Sequence, residues 1–355
     1  GVAYPILLQV IARLDEKYSS DKIVELFDQE KENKAFKYTL FSSFFFLVIW
    51  TLNRPPLIKI NGLNFFIENS ASILLAFNSI LLVISFFCFV KKILIYYTPT
   101  KFIPYLIKRN DKAENDIQFF EALSELLLVF IKKQQTEYSI TLSDFFYSAF
   151  EKIRSQQLNK PVVYPYAYYE VVYKAVEELA ILKEKRNYLL ENETSGGIWL
   201  LGAFQDHDIS ENTYTWMWRN ILLAVRYEQD DLILNHWETC HQFYNRSLYN
   251  IQTKYDNSSE NFKVANQDEI NKRLAERQRF IEFHYALGGL LLYKKRYNCI
   301  RRIFNFTQNE PPKYVLLPEF MDEVFIFYIE LSNPYERKYP WISQQYPFPE
   351  LSGSN

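Results

Sequence analysis

Glycine is scarce in this chain, with eight residues in 355. So low a supply argues against a glycine-rich Rossmann domain or an all-β domain with many tight turns. Neither a P-loop nor a G-x-S-x-G nucleophile elbow occurs. Cysteine is equally sparse. Cys88, Cys240 and Cys299 stand far apart, and Cys88 sits in an apolar run, so no disulfide framework is expected. The formal net charge of −2 provides no general attraction to nucleic acid. Phe and Tyr, by contrast, number 30 and 27, which suits helices packed through aromatic side chains.

The longest uncharged run is Ala71–Val90, ASILLAFNSILLVISFFCFV. Twenty residues at about 1.5 Å each cover a hydrocarbon core of about 30 Å. Asn78, Ser79 and Ser85 are its polar interior residues, Lys91 and Lys92 close it, and Tyr96 and Tyr97 follow at interfacial depth. A transmembrane helix over about 71–95 is expected. A second span is read at Tyr38–Leu52, where Lys37 can snorkel and Trp50 can anchor. Ser42 and Ser43 are its polar residues, and Arg54-Pro55-Pro56 stops it. Gly1–Leu14, apolar except for Gln9 and Arg13, is read as the end of a longer transmembrane helix that begins before Gly1, with a signal remnant or an interfacial helix as the alternatives. The expected fold is therefore mainly α, with two to three transmembrane helices followed by a cytosolic all-helical domain.

Charge asymmetry orients these segments. Arg13, Lys17, Lys22, Lys31, Lys34 and Lys37 precede the second span, and Lys91, Lys92, Lys101, Lys108 and Arg109 follow the last. The loop between carries Arg54 and Lys59, so it is expected outside and the bulk of the chain in the cytoplasm, under a bacterial inner membrane. In that loop Leu57–Ile60 and Leu63–Ile67 flank Asn61-Gly62, which predicts a small outer β-hairpin over 57–67. The Asn-x-Ser/Thr triplets at Asn192, Asn245, Asn257 and Asn305 carry no meaning on the cytoplasmic side.

Beyond residue 100 the pattern is helical and broken by turns. Helices are expected at Asp116–Lys133, Leu142–Leu158, Tyr166–Leu190, Thr213–Tyr227, Asp231–Tyr249, Asp268–Tyr293 and Arg296–Phe306. The stretch ENETSGG, Glu191–Gly197, marks a boundary between helical subdomains 101–195 and 196–355, behind a membrane region 1–100. Leu287-Gly288, Leu291, Tyr297, Phe304 and Pro312 have the spacing of a tetratricopeptide helical hairpin, which this stretch resembles. Ile300 and Thr307 stand where that repeat usually has Ala. The resemblance covers under a tenth of the chain and implies an α-hairpin, solenoid-like architecture. The pair of helices around Trp218, Leu234 and Trp237 has the same dimensions.

His236, Cys240 and His241 form one ligand-like cluster, with Asp230 and Asp231 just before it. His236 and Cys240 share a helix face, but structural zinc needs a second pair of ligands, so an ordinary helix is the better reading and no metal is assigned. Asp206-His207-Asp208 reads as a solvated loop with Ser210 as a helix cap, and His284 as a core residue. The aromatic run Tyr164–Tyr169 lacks an interleaved basic stripe, so it reads as core or interface rather than as a base-stacking platform. No catalytic residue and no cofactor is assigned, and an enzyme is not expected. The expected function is a membrane-anchored scaffold or sensor that holds a cytosolic protein partner at the inner face. The alternative is a homo-oligomeric pore or membrane-perturbing effector of a bacterial defence or signalling type, gated by the cytosolic domain. Asn78, Ser79, Ser85, Ser42 and Ser43 are the polar contacts that a helix–helix interface or a thinly polar pore lining would use.

Overall fold

A computed structural model describes residues 3–52, 69–112, 117–157, 160–182, 196–202 and 210–239, and beyond them 267–268, 271, 287–291 and 294–304. The chain divides into two compact units, Gly1–Val129 and Phe130–Asn355. The described residues are mainly helical and contain no β-strand. The expected outer hairpin at 57–67 lies outside them, as do Cys240, His241, His284, Pro312 and the Asp206–Asp208 loop.

The first unit begins with α1 (Ala3–Tyr18) and α2 (Asp21–Gln29). Ser20 caps α2 by accepting from the Ile23 amide at 3.2 Å. After Glu30 the chain bends into α3 (Lys31–Thr51), then α4 (Ser70–Tyr97) and α5 (Pro99–Lys112). Two expected limits shift here. The first helix continues through Asp15-Glu16-Lys17 to Tyr18, because Leu14 and Tyr18 are buried in the unit's core. The second starts seven residues before Tyr38, because Asn33 and Phe36 are buried against their neighbours. Asn33 donates to the Phe27 carbonyl at 3.3 Å and to Asp28 Oδ1 at 3.1 Å, which ties the start of α3 to the end of α2.

The second unit is entered through α6 (Ile117–Lys132), followed by α7 (Thr136–Gln156), α8 (Tyr166–Leu182), α9 (Gly196–Leu201) and α10 (Glu211–Arg226). Residues 230–239 and 287–291 are helical, and α11 spans Tyr297–Phe304. Ser210 caps α10 by accepting from the Thr213 amide at 3.2 Å. Trp199 of α9 packs on Phe146 and Phe150 of α7, at 5.4 and 6.0 Å. Tyr169 of α8 stacks on Trp216 of α10 at 5.6 Å. The tyrosine-rich run is thus partly core, as expected, with Tyr164 and Tyr169 buried and Tyr166 exposed.

Three helix ends in this unit share one turn. Gln134, Glu228 and Lys295 take left-handed φ values of 55°, 59° and 56°. The next amide in each case reaches five residues back, from Gln135 to Phe130 at 2.9 Å, Gln229 to Ala224 at 3.1 Å and Arg296 to Leu291 at 2.8 Å. This is the Schellman closure, which satisfies helix-end carbonyls and normally places glycine at the left-handed position. The turns at Glu228 and Lys295 also share six buried positions at equal distances from them, although Ile233 is buried where Ile300 is half-buried. Asn220, Ile221, Leu223 and Ala224 are buried as Leu287, Gly288, Leu290 and Leu291 are, and Leu232 and His236 as Cys299 and Ile303 are. The expected helix at Leu142 begins at Thr136, directly after the first of these turns.

Candidate functional site

Helices α3 and α4 pack as an antiparallel hairpin. Phe36 stacks on Phe89 at 4.7 Å, Thr39 Oγ1 meets Ser85 Oγ at 2.7 Å, and Ser42 Oγ donates to Asn78 Oδ1 at 2.7 Å. The Asn78 amide also donates to Ser43 Oγ, and approaches the Thr39 carbonyl at 3.5 Å. Four of the five polar residues picked out by sequence thus converge on one interhelical seam. Ser79 does not join them. It faces outward and returns its hydroxyl to the Leu75 carbonyl at 2.7 Å.

The outer face of the hairpin is the reverse of its seam. Phe44 is 69% exposed and Phe87 67%, whereas Asn78 is 5% exposed. Tyr38, Phe41, Phe45, Trp50, Phe77 and Ile84 are also open. Water selects apolar interiors and polar surfaces, and an exposed apolar surface this continuous marks contact with something apolar. Polar side chains inside and hydrocarbon outside are what helix pairing in lipid uses. Among the described residues one helix, α4, is long and apolar enough to cross a membrane.

At the base of the hairpin a buried ionic cluster joins four helices. Glu30, between α2 and α3, accepts from Tyr96 Oη of α4 at 2.8 Å and from Tyr105 Oη of α5 at 2.5 Å. Its second carboxylate oxygen lies 3.3 Å from Lys92 Nζ, and Glu32 Oε1 lies 3.2 Å from the same ammonium. Lys92 donates to Tyr105 Oη at 3.1 Å and sits 4.5 Å above the Tyr105 ring. Burial, and then the hydrogen bond to Glu30, push the Tyr105 phenol above its ordinary range. Around the cluster, Tyr96 packs on Phe102 at 4.4 Å and on Phe27 at 5.1 Å. From α1, Lys17 Nζ and Tyr18 Oη donate to the Tyr97 and Tyr96 carbonyls at 2.5 and 2.7 Å, which neutralises the negative end of α4.

Sequence reasoning took Lys92 as a flanking charge and did not find Glu30, Tyr96 and Tyr105 as its partners. One signal was present. Lys92 is followed by Ile93-Leu94-Ile95, so the helix continues apolar past the charge, and an internal lysine needs an anion.

In the second unit Arg154 is buried, 2% exposed. It donates to the Trp199 carbonyl at 2.5 Å and to Tyr164 Oη at 3.2 Å, and Tyr164 Oη donates to the Leu200 carbonyl at 2.8 Å. The pair holds the end of α9, and Gly202, with φ +72°, leaves room for the guanidinium. Burial pushes the Tyr164 phenol up to about 12. His236 is buried in the helical residues 230–239, and burial lowers its imidazole to about 4. Its proposed neighbours Cys240 and His241 lie outside the described residues. No group of three or more potential metal ligands occurs among the described ones. Arg296 bridges to Glu228, and to Asp230 at 3.4 Å, and so clamps the second and third of the matching turns together.

No protein-family model matches the chain, and no curated protein or solved structure does either.

Proposed function

We propose that this protein is a membrane-anchored helical scaffold, held in the bilayer by the α3–α4 hairpin, whose second unit binds a protein partner at the membrane face. The inside-out hairpin is the observation that carries the anchor. Its polar groups satisfy one another across the seam, and its aromatic and aliphatic groups are left for lipid. The scaffold rests on the three matching turns and on the buried positions shared around Glu228 and Lys295, which suit stacked helical hairpins of the tetratricopeptide kind. Such stacks offer extended surfaces to other proteins rather than enclosed reaction sites.

The same seam weakens the pore alternative. Asn78, Ser42, Ser43 and Ser85 are occupied within one chain, which leaves Ser79 as the outward member of the set. A reconstituted chain that extracts as a monomer or dimer and leaves liposomes sealed supports the tether. A ring of subunits that leaks ions overturns it. The anchor has its own test in Ile80→Cys, placed on the outer face of α4 in a Cys88→Ser, Cys240→Ser background. A water-soluble maleimide should leave Cys at this position unlabelled in proteoliposomes and label it after detergent is added. Rapid labelling in the intact bilayer would remove the hairpin from the membrane.

A further inference from the structure

We propose that the exposed lysine stripe of α5, together with Lys91, binds the headgroups of anionic phospholipids in the leaflet that the hairpin enters; this rests on the membrane reading of α3 and α4. The direction of α5 is the first argument. After the turn at Thr98 the helix doubles back along the last turns of α4. Phe102 packs on Tyr96 at 4.4 Å, and one turn later Tyr105 Oη reaches Lys92 Nζ at 3.1 Å. Moving forward along α5 is therefore moving back along α4, towards the level at which Lys91 closes the apolar band. The end of α5 rises to the bilayer surface instead of leading away from it.

The second argument is the face that α5 presents there. Phe102, Ile103 and Leu106 are buried in the first unit. Lys101, Lys108 and Lys112 are exposed, and at about 100° per residue they fall within roughly 40° of one another, opposite that buried side. Lys91 is exposed as well. Among the described residues none of these four ammonium groups has a carboxylate within ion-pairing distance, whereas Lys22, Lys37 and Lys92 of the same unit are each paired. Arg109, on the flank of the stripe, is already stacked on Phe119 at 5.1 Å. An amphipathic helix with an unneutralised basic stripe, docked at the end of a transmembrane helix, has the complement of an anionic lipid surface. Glu30 and Glu32 are both held by Lys92, and the exposed Asp111 of α5 pairs with none of the four among the described residues.

The test uses the full chain in a non-ionic detergent, titrated with phosphatidylglycerol or phosphatidylcholine of equal acyl length, with bound lipids counted by native mass spectrometry. Each lysine near an anionic surface contributes about fivefold in affinity, so phosphatidylglycerol should be retained about tenfold or more over phosphatidylcholine. Lys91→Gln, Lys108→Gln and Lys112→Gln combined should bring the two lipids within about twofold of each other, and salt at about 0.5 M should do the same to the unaltered chain. Lys108→Arg with Lys112→Arg should keep the preference, as should Lys152→Gln in the second unit. Equal retention of both lipids by the unaltered chain, or an undiminished preference in the triple variant, overturns the proposal. Displacement of the lipid by inorganic phosphate at tens of millimolar, beyond the effect of matched salt, would make the stripe a phosphate site. Lysine-dependent capture of polyglutamate without lipid preference would assign the stripe to an acidic protein. Either result overturns the lipid surface. A chain that stays monodisperse in buffer without detergent or lipid would overturn the membrane anchor itself, whereas a detergent-dependent chain lacking the preference overturns the stripe alone.

Discussion

Helix α4 of the first unit and helix α8 of the second are both rich in large apolar residues, yet they bury opposite things. In α4 the buried set is Asn78, Ser85, Phe89, Lys92 and Tyr96, while Phe77, Ile80 and Phe87 are open. In α8 it is Tyr169, Val171, Val172, Ala175, Val176, Leu179 and Ala180, and Lys174 is open. The backbone geometry is the same. On the membrane reading proposed above, the difference lies in what each helix faces, because a hydroxyl–amide seam lets polar groups satisfy one another where water cannot. The comparison also locates where the hairpin joins the first unit's apolar core, the aromatic joint around Tyr96.

The largest expected effect breaks that joint. Lys92→Met leaves the Glu30 carboxylate buried without its cation, and should cost about 3–5 kcal/mol by the usual penalty for a half-removed buried pair. The loss would be read as a lower midpoint of unfolding in detergent and new proteolysis between α2 and α3. Glu30→Gln with Lys92→Met should recover most of it. A single variant as stable as the parent would mean that the cluster bears no load.

The next prediction concerns the second unit and pH. His236 has a folded pKa lowered to about 4 from an ordinary 6.5, so the unfolded chain takes up the proton first. Stability is then complete above about pH 6.5 and lost as pH falls towards 4, on the order of 3 kcal/mol in all. His236→Leu, which restores the aliphatic character of the matching Ile303, should flatten the urea midpoint across that window when followed by tryptophan fluorescence. An unchanged pH slope would place the titration elsewhere.

A paired substitution sharpens the contrast between the two interiors. Asn78→Leu removes the seam's hydrogen bonds and should weaken the hairpin by about 1 kcal/mol. Asn220→Leu removes a buried asparagine whose Oδ1 has no hydrogen-bond partner, and it matches Leu287 of the equivalent hairpin. That change should be neutral or stabilising. Equal losses at the two sites would erase the distinction. Smallest of all, Gln134→Gly and Lys295→Gly should each raise the unfolding midpoint by an amount equivalent to about 1 kcal/mol, since glycine takes the left-handed turn without strain. A fall on either substitution would show that the side chain itself matters there.

Much of the first unit could be read from residue order. The span at Ala71–Val90 is apolar by composition, and its interior polar residues stand out because they are few. In the second unit Ser210 could be read as a cap, since a hydroxyl before an amphipathic run has one local use. The matching turns could not be read. Left-handed conformations at Gln134, Glu228 and Lys295 are imposed by the packing of the helices on either side, and the residues that usually announce them are missing from a glycine-poor chain.

By itself, then, the sequence determined the mainly helical class, the long apolar helix and the basic charges at its end, because each follows from properties of neighbouring residues. Tertiary structure alone decided which of those charges are used up. Lys91 and Lys92 are adjacent and chemically identical, yet Lys92 lies between Glu30 and Glu32 while Lys91 is left in the open. A partner some sixty residues away leaves no trace in local pattern. The physical reason is that an ammonium buried among aromatic rings requires a carboxylate beside it, and the fold alone brings one there.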